Sequence, residues 1–188
     1  MMNMSNRWLR WATIGALCFV CAGCSVNTSR WRDVEDGPRA RVRFATEGTG
    51  ITVLYRYDDI DCRKGESEMM RLRLGPVLDP KPPRSLGMPS PRFHENAAQE
   101  VFVEAGRLFV GRFEAGEDYG LVGFSCVVPF AFDVEADADY EVLVRPRMEG
   151  CSVSVSRFVP DASGAMQVTL DSLPTPGRGC RGPKLRLL

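Results

Sequence analysis

The sequence predicts an all-β fold, an antiparallel β-sandwich of immunoglobulin-like or transthyretin-like topology, and three observations carry that expectation. Short runs of alternating apolar and polar residues recur along the chain from residue 39, as half-buried strands require. Turns marked by glycine and proline separate those runs. No segment sustains the 3.6-residue period of an amphipathic helix, so no crossover helices connect the strands, which are expected to pair antiparallel.

Residues 40–44 (ARVRF) open the pattern, with arginines alternating against apolar side chains. After the turn at 47–50 (EGTG), residues 51–57 (ITVLYRY) are rich in the β-branched and aromatic residues of a strand. Residues 70–74 (MRLRL) alternate again. Residues 75–92 hold six prolines and two glycines and cannot supply ladder donors, which makes them a long loop or an extended edge. One short helical turn is the most that residues 94–100 allow. Residues 99–113 read as a hairpin around 104–107 (EAGR). The apolar run 121–132 predicts a buried strand bent at Pro129. Residues 140–144 (YEVLV) and 151–156 (CSVSVS) follow, the latter with its serines on the wet face. A turn at 160–164 leads to a last strand with Met166, Val168 and Leu170 inward. Residues 137–142 (DADYEV) resemble the tyrosine corner of immunoglobulin-like sandwiches, where a tyrosine opens the penultimate core strand.

The first 23 residues differ in kind. Arg7 and Arg10 form a basic start without acids, and a thirteen-residue apolar run over 11–23 follows. That run is shorter than the roughly 20 residues a membrane-spanning helix needs, so a signal peptide is the expectation. Its end, Ala22-Gly23-Cys24, resembles the lipobox of bacterial lipoproteins, with Cys21 standing where that family usually has Leu. The resemblance implies diacylglycerol on the Cys24 thiol, cleavage before it and acylation of the new amine. Ser25 stands where an inner-membrane retention signal would have Asp, so an outer-membrane lipoprotein facing the periplasm or the cell surface is expected. The domain plan is then a signal peptide over 1–23, a lipidated polar tether over 24–38, a sandwich over 39–174 and a basic tail over 175–188.

Four cysteines remain after Cys18 and Cys21 leave with the leader and Cys24 takes the lipid: Cys62, Cys126, Cys151 and Cys180. An even number in an exported domain predicts two disulfides, with three connectivities open. Cys126 and Cys151 lie in strong strands either side of the Tyr140 strand, which favours that pair; Cys62 with Cys180 follows by elimination. No CxxC or HxxxH spacing points to zinc.

Charge excludes one class. Without the leader's two arginines the chain holds 22 basic and 24 acidic residues, which is no footprint for nucleic acid. The single histidine, His94, has no GxSxG-type nucleophile beside it, since residues 123–127 (GFSCV) lack the final glycine. Asp133, Glu135, Asp137 and Asp139 alternate, and Asp58, Asp59 and Asp61 cluster, but neither set has the spacing of a calcium loop. The tail 178–186 carries four positive charges and no acid.

Cys24, the 40–44 strand, residues 86–89 (LGMP), residues 140–142 and the Cys126/Cys151 spacing together resemble a group of small cysteine-containing lipoproteins of Gram-negative bacteria. The resemblance implies fold and location only. The expectation is a non-enzymatic protein without cofactor or metal, held to the membrane by its N-terminal lipid. Its partner would be another envelope protein, met by the Pro-rich loop 75–92 with Met69, Met70 and Phe93. The alternative is a small-ligand or glycan-binding module using Tyr55, Tyr57 and the basic tail.

Overall fold

A computed structural model of the chain describes residues 31–48, 50–73, 84–89, 97–118, 123–161, 164–170 and 175–180. They form nine strands: β1 (Arg39–Thr46), β2 (Ile51–Tyr57), β3 (Ser67–Arg73), β4 (Ala98–Glu104), β5 (Leu108–Asp118), β6 (Gly123–Asp133), β7 (Asp139–Arg147), β8 (Gly150–Asp161) and β9 (Gly164–Thr169). Among the described residues a 3-10 turn spans Arg178–Cys180, and Ala97, just before β4, is also in 3-10 conformation. Of the stretch 94–100, where a short helical turn was expected, residues 94–96 lie outside the described residues, Ala97 is in 3-10 conformation and Ala98 opens β4.

The strands make two facing sheets, in the orders β4-β1-β7-β8-β9 and β3-β2-β5-β6. All neighbours are antiparallel except β1 and β7, which run parallel. An immunoglobulin constant domain would place its first strand beside its second. Here β1 lies between β4 and β7 while β2 belongs to the other sheet, which excludes that topology and leaves the transthyretin-like one. The tyrosine corner is nevertheless present in local form: the Tyr140 hydroxyl, at the start of β7, accepts the backbone N–H of Glu135 at 3.1 Å. Pro129 sits in β6, an edge strand, and the ladder with β5 runs through it without a register shift, so the expected bend does not interrupt pairing.

The core is aromatic. Phe44, Phe109, Phe113, Phe130, Phe132 and Tyr140 are buried between the sheets with Val42, Leu54, Val101 and Val142. Phe130 stacks on Phe113 at 5.2 Å and on Phe109 at 6.0 Å. It reaches them because its partner across the ladder is Gly111, where a Cβ would stand 2.5 Å from the ring. Each such side chain contributes about 1.5–3 kcal/mol by burial, with ring pairing adding about 0.5–1.5. Met69 and Met70 belong to this core, so neither is available as part of a contact surface. Val168, expected inward, is 38% exposed, while Leu170 packs against the core.

The two open sides of the sandwich close differently. On the β6/β8 side, a disulfide joins Cys126 to Cys151, one in each sheet. On the β3/β4 side, the segment 31–38 acts as a clasp. The Trp31 backbone N–H reaches Met69 O of β3 at 3.2 Å, while its indole Nε1 donates to Phe102 O of β4 at 3.0 Å. Asp33 then accepts the Phe102 N–H at 3.1 Å. These bonds occupy edge groups that would otherwise be free to pair with another chain. The stretch expected to be tether is therefore docked on the domain from Trp31 onward.

Candidate functional site

Cys24 and His94 lie outside the described residues, as do the leader and residues 181–188 of the tail. Cys62 is bonded to Cys180 and Cys126 to Cys151. The first bond ties the loop after β2 to residues 175–180, where the Gly177 N–H also donates to Ile60 O at 2.8 Å. Gly177 and Gly179 lie so close over Asp61 that a Cβ at either would collide with it.

The alternating acids of 133–139 do not converge. Asp139 takes the Arg41 guanidinium in a two-bond fork at 2.6 Å, and Glu135 pairs with Arg157 at 2.7 Å. Asp137 occupies a turn with φ 59°. In the second cluster Asp58 faces Arg56 and Asp59 Oδ1 accepts the Arg63 N–H. Among the described residues no group of three or more His, Cys, Asp or Glu side chains is placed to hold a metal ion.

Tyr55 and Tyr57 share the outer face of the β3-β2-β5-β6 sheet, but Arg112 lies over both rings, at 5.1 and 5.3 Å from their centroids. The Tyr57 hydroxyl donates to Glu66 at 2.7 Å. Burial, then that bond, holds its pKa well above the ordinary tyrosine value. The pair is a covered face and not an open stacking platform.

The described part of the Pro-rich segment, 84–89, forms a strap across the outer face of the other sheet. Arg43 of β1 is its foundation. It donates to Glu100 of β4 at 2.7 and 3.0 Å and to Glu141 of β7 at 3.2 Å. It also donates to the strap carbonyls of Met88 and Pro89 at 3.1 and 3.0 Å. The other oxygen of Glu100 accepts the strap's Leu86 and Met88 N–H groups and the Ser85 hydroxyl. Arg43, Glu100 and Glu141 are 2%, 6% and 3% exposed. Burial pushes the Glu100 carboxyl up, but the bonds from Arg43, Leu86 and Met88 outweigh it and leave its pKa below the ordinary value. The face of β1 that alternation marked as wet is thus a second, polar interior. Met88, Ala45, Leu143 and Phe158 are buried with it.

At the clasp, a different set of arginines borders a cavity of about 310 Å³. Its walls are Trp31, Arg32 and Val34 of the clasp, Val103 and Glu104 of β4, Arg56 of β2, and Arg107, Leu108 and Phe109 entering β5. Arg56 lies over the Trp31 ring at 5.4 Å and meets Asp58 at 3.4 Å. Arg107 pairs with Glu104 at 2.7 Å. Arg32 has no ion-pair partner among the described residues. Burial, then the charge of Arg107, holds the Arg56 pKa below the ordinary arginine value, with Asp58 and Glu104 opposing. An arginine remains cationic under such shifts. Three guanidinium groups therefore line the cavity against one carboxylate.

Sequence reasoning missed these arginines, although one signal was present. In β2, Thr52 and Leu54 face the core, and Arg56 stands on that same face, opposite Gly111. A cation on the core side of a strand demands a partner or an opening. What fold and site together define is a disulfide-stapled transthyretin-like sandwich with a clasped side. Comparison with known proteins found no match: no family model fits the chain, and no curated protein or solved structure matches it.

Proposed function

We propose that the chain is a non-enzymatic, lipid-anchored envelope protein that uses its strap to engage another envelope protein. In this reading Cys24 carries the lipid, and the sandwich faces the periplasm or the cell surface from the outer membrane. The observation that carries the reading is the strap itself. It presents Arg84, Ser85 and Gly87 to solvent on an irregular segment fixed from below by a buried ionic cluster. Irregular segments held on a rigid scaffold are where binding residues concentrate. Two disulfides accord with an oxidising compartment. Trp31 is docked only seven positions after Cys24, so an anchor there would hold the domain within roughly 25 Å of the bilayer.

Two measurements test this. Mass spectrometry of the mature N-terminus is expected to find an acylated Cys24, and a free thiol there removes the anchor. A photoreactive side chain at Ser85 is expected to give a cross-link to one envelope protein in cells, and one at Arg63 is not. Identical adducts from both positions, or none from Ser85, would refute the strap as the contact surface. The alternative, a small-ligand or glycan-binding module, gains nothing from Tyr55 and Tyr57, which Arg112 covers. What favours a small ligand is the cavity beside Trp31.

A further inference from the structure

The geometry points to the cavity at the clasp as a binding site for a phosphoryl group carried on a partly apolar body. Three features converge there. Arg32, Arg56 and Arg107 line one space of about 310 Å³, a size suited to a small ligand. Guanidinium groups match the oxygens of phosphate in charge and fork geometry better than any other side chain. Their neutralisation within the protein is incomplete: Glu104 is the single carboxylate of the lining, and the Asp58 that meets Arg56 has a side chain 60% exposed.

Arg56 is the informative member. Its side chain is 22% exposed, and burial together with Arg107 opposes its charge. An anion entering the cavity relieves that repulsion, so binding energy comes partly from tension already present in the empty site. The rest of the lining sets the second half of the ligand. Val34, Val103, Leu108 and Phe109 are apolar, and the Trp31 indole N–H is already spent on Phe102 O, so its ring offers a face and not a donor. A phosphoryl group would sit at the arginines with an apolar portion against this wall.

Two sources could supply such a group: a soluble phosphorylated molecule, or a phospholipid headgroup at the membrane. The site itself rests on described residues alone. Only the headgroup source depends on anchoring at Cys24, and the N-terminal mass spectrum reports on that separately.

The test uses two probes and the chain from Ser25 onward, without leader or lipid, so that vesicle binding reports the cavity and not an anchor. Phenyl phosphate, followed by calorimetric titration, represents the soluble ligand. Vesicles of phosphatidylcholine with and without phosphatidylglycerol, followed by co-sedimentation, represent the headgroup. Arg56→Gln and the exposed pair Arg32→Ala/Arg107→Ala are each expected to weaken phenyl phosphate binding by about tenfold. Arg71→Gln, a charge change equal to that of Arg56→Gln but on the outer face of the same sheet, is expected to leave it within about twofold. If the variants also lose binding to phosphatidylglycerol vesicles, the headgroup is the source; if vesicle binding is unchanged, the source is soluble. Absence of saturable binding by the parent chain overturns the site. So does an equal loss in Arg71→Gln, which would mean general surface charge. Arg32 and Arg107 are exposed, so their replacement keeps the test readable even where Arg56→Gln perturbs folding.

Discussion

Two arginine clusters stand on the molecule, and they differ in what surrounds each guanidinium. Arg43 is sealed under the strap, opposed by two carboxylates and capped by two carbonyls. Arg56 is half-buried at the clasp, meets only the exposed carboxylate of Asp58 at 3.4 Å, feels Glu104 without a direct ion pair and is repelled by Arg107. The first cluster is complete without a ligand; its cost of desolvation is offset inside the protein. The second is not complete. The same residue type thus serves architecture where its donors are satisfied and points to recognition where they are not.

The largest effect that breaks this contrast comes from Arg43→Met. Removing the cation leaves Glu100 and Glu141 as buried, mutually repelling carboxylates and frees two strap carbonyls. Loss of one partner of a buried ion pair costs about 3–5 kcal/mol. Urea denaturation is expected to show that loss; a midpoint unchanged from the parent would mean the cluster is solvated.

Acid sharpens the same point. The Glu100 carboxyl titrates lower in the fold than in the unfolded chain, from an ordinary value of 4.5. Its contribution is therefore fully present above that value and is lost as pH falls through the lower, folded one. Stability measured from pH 5 downward is expected to decline, and Glu100→Gln is expected to flatten part of that decline. An identical slope in the variant would assign the acid sensitivity to other carboxylates.

The contrast was only partly legible in the sequence. Period-two alternation located the strands because one face of each meets the aromatic core, and that pattern survives as plain residue spacing. Cys126 and Cys151 were readable for the same reason, since both lie in such strands. Arg41 and Arg43 were misleading: alternation marks which side chains leave the core, but not whether a later segment returns to cover them. The strap and the clasp are held by side-chain-to-backbone bonds from Glu100, Arg43, Asp33 and Trp31, and such bonds have no period to detect. Strand order was hidden as well, because β1 pairs with β4 and β7 across long stretches of chain.

Trp31→Phe probes the clasp at smaller scale. It keeps an apolar ring near Arg56 but removes the bond to Phe102 O, leaving that carbonyl without its donor. A loss of about 1 kcal/mol is expected by thermal or urea denaturation. No change would mean that water takes the place of the indole N–H.

Arg56→Gln gives the smallest effect on stability and the most direct comparison with Arg43. Its pair with Asp58 is long and exposed, worth about 0–1 kcal/mol. Its position over Trp31 adds about 0.5–1 kcal/mol. Against these stand burial and the repulsion from Arg107, both of which Gln abolishes. These contributions oppose one another, so the folding free energy is expected to change by less than the roughly 1 kcal/mol that either attraction alone could supply. Inorganic phosphate in the buffer should separate the two proteins: the parent gains stability from an anion that binds only the folded state, and the variant gains less. A loss comparable to that of Arg43→Met, without any difference in response to phosphate, would place Arg56 among the architectural arginines and remove the distinction between the clusters.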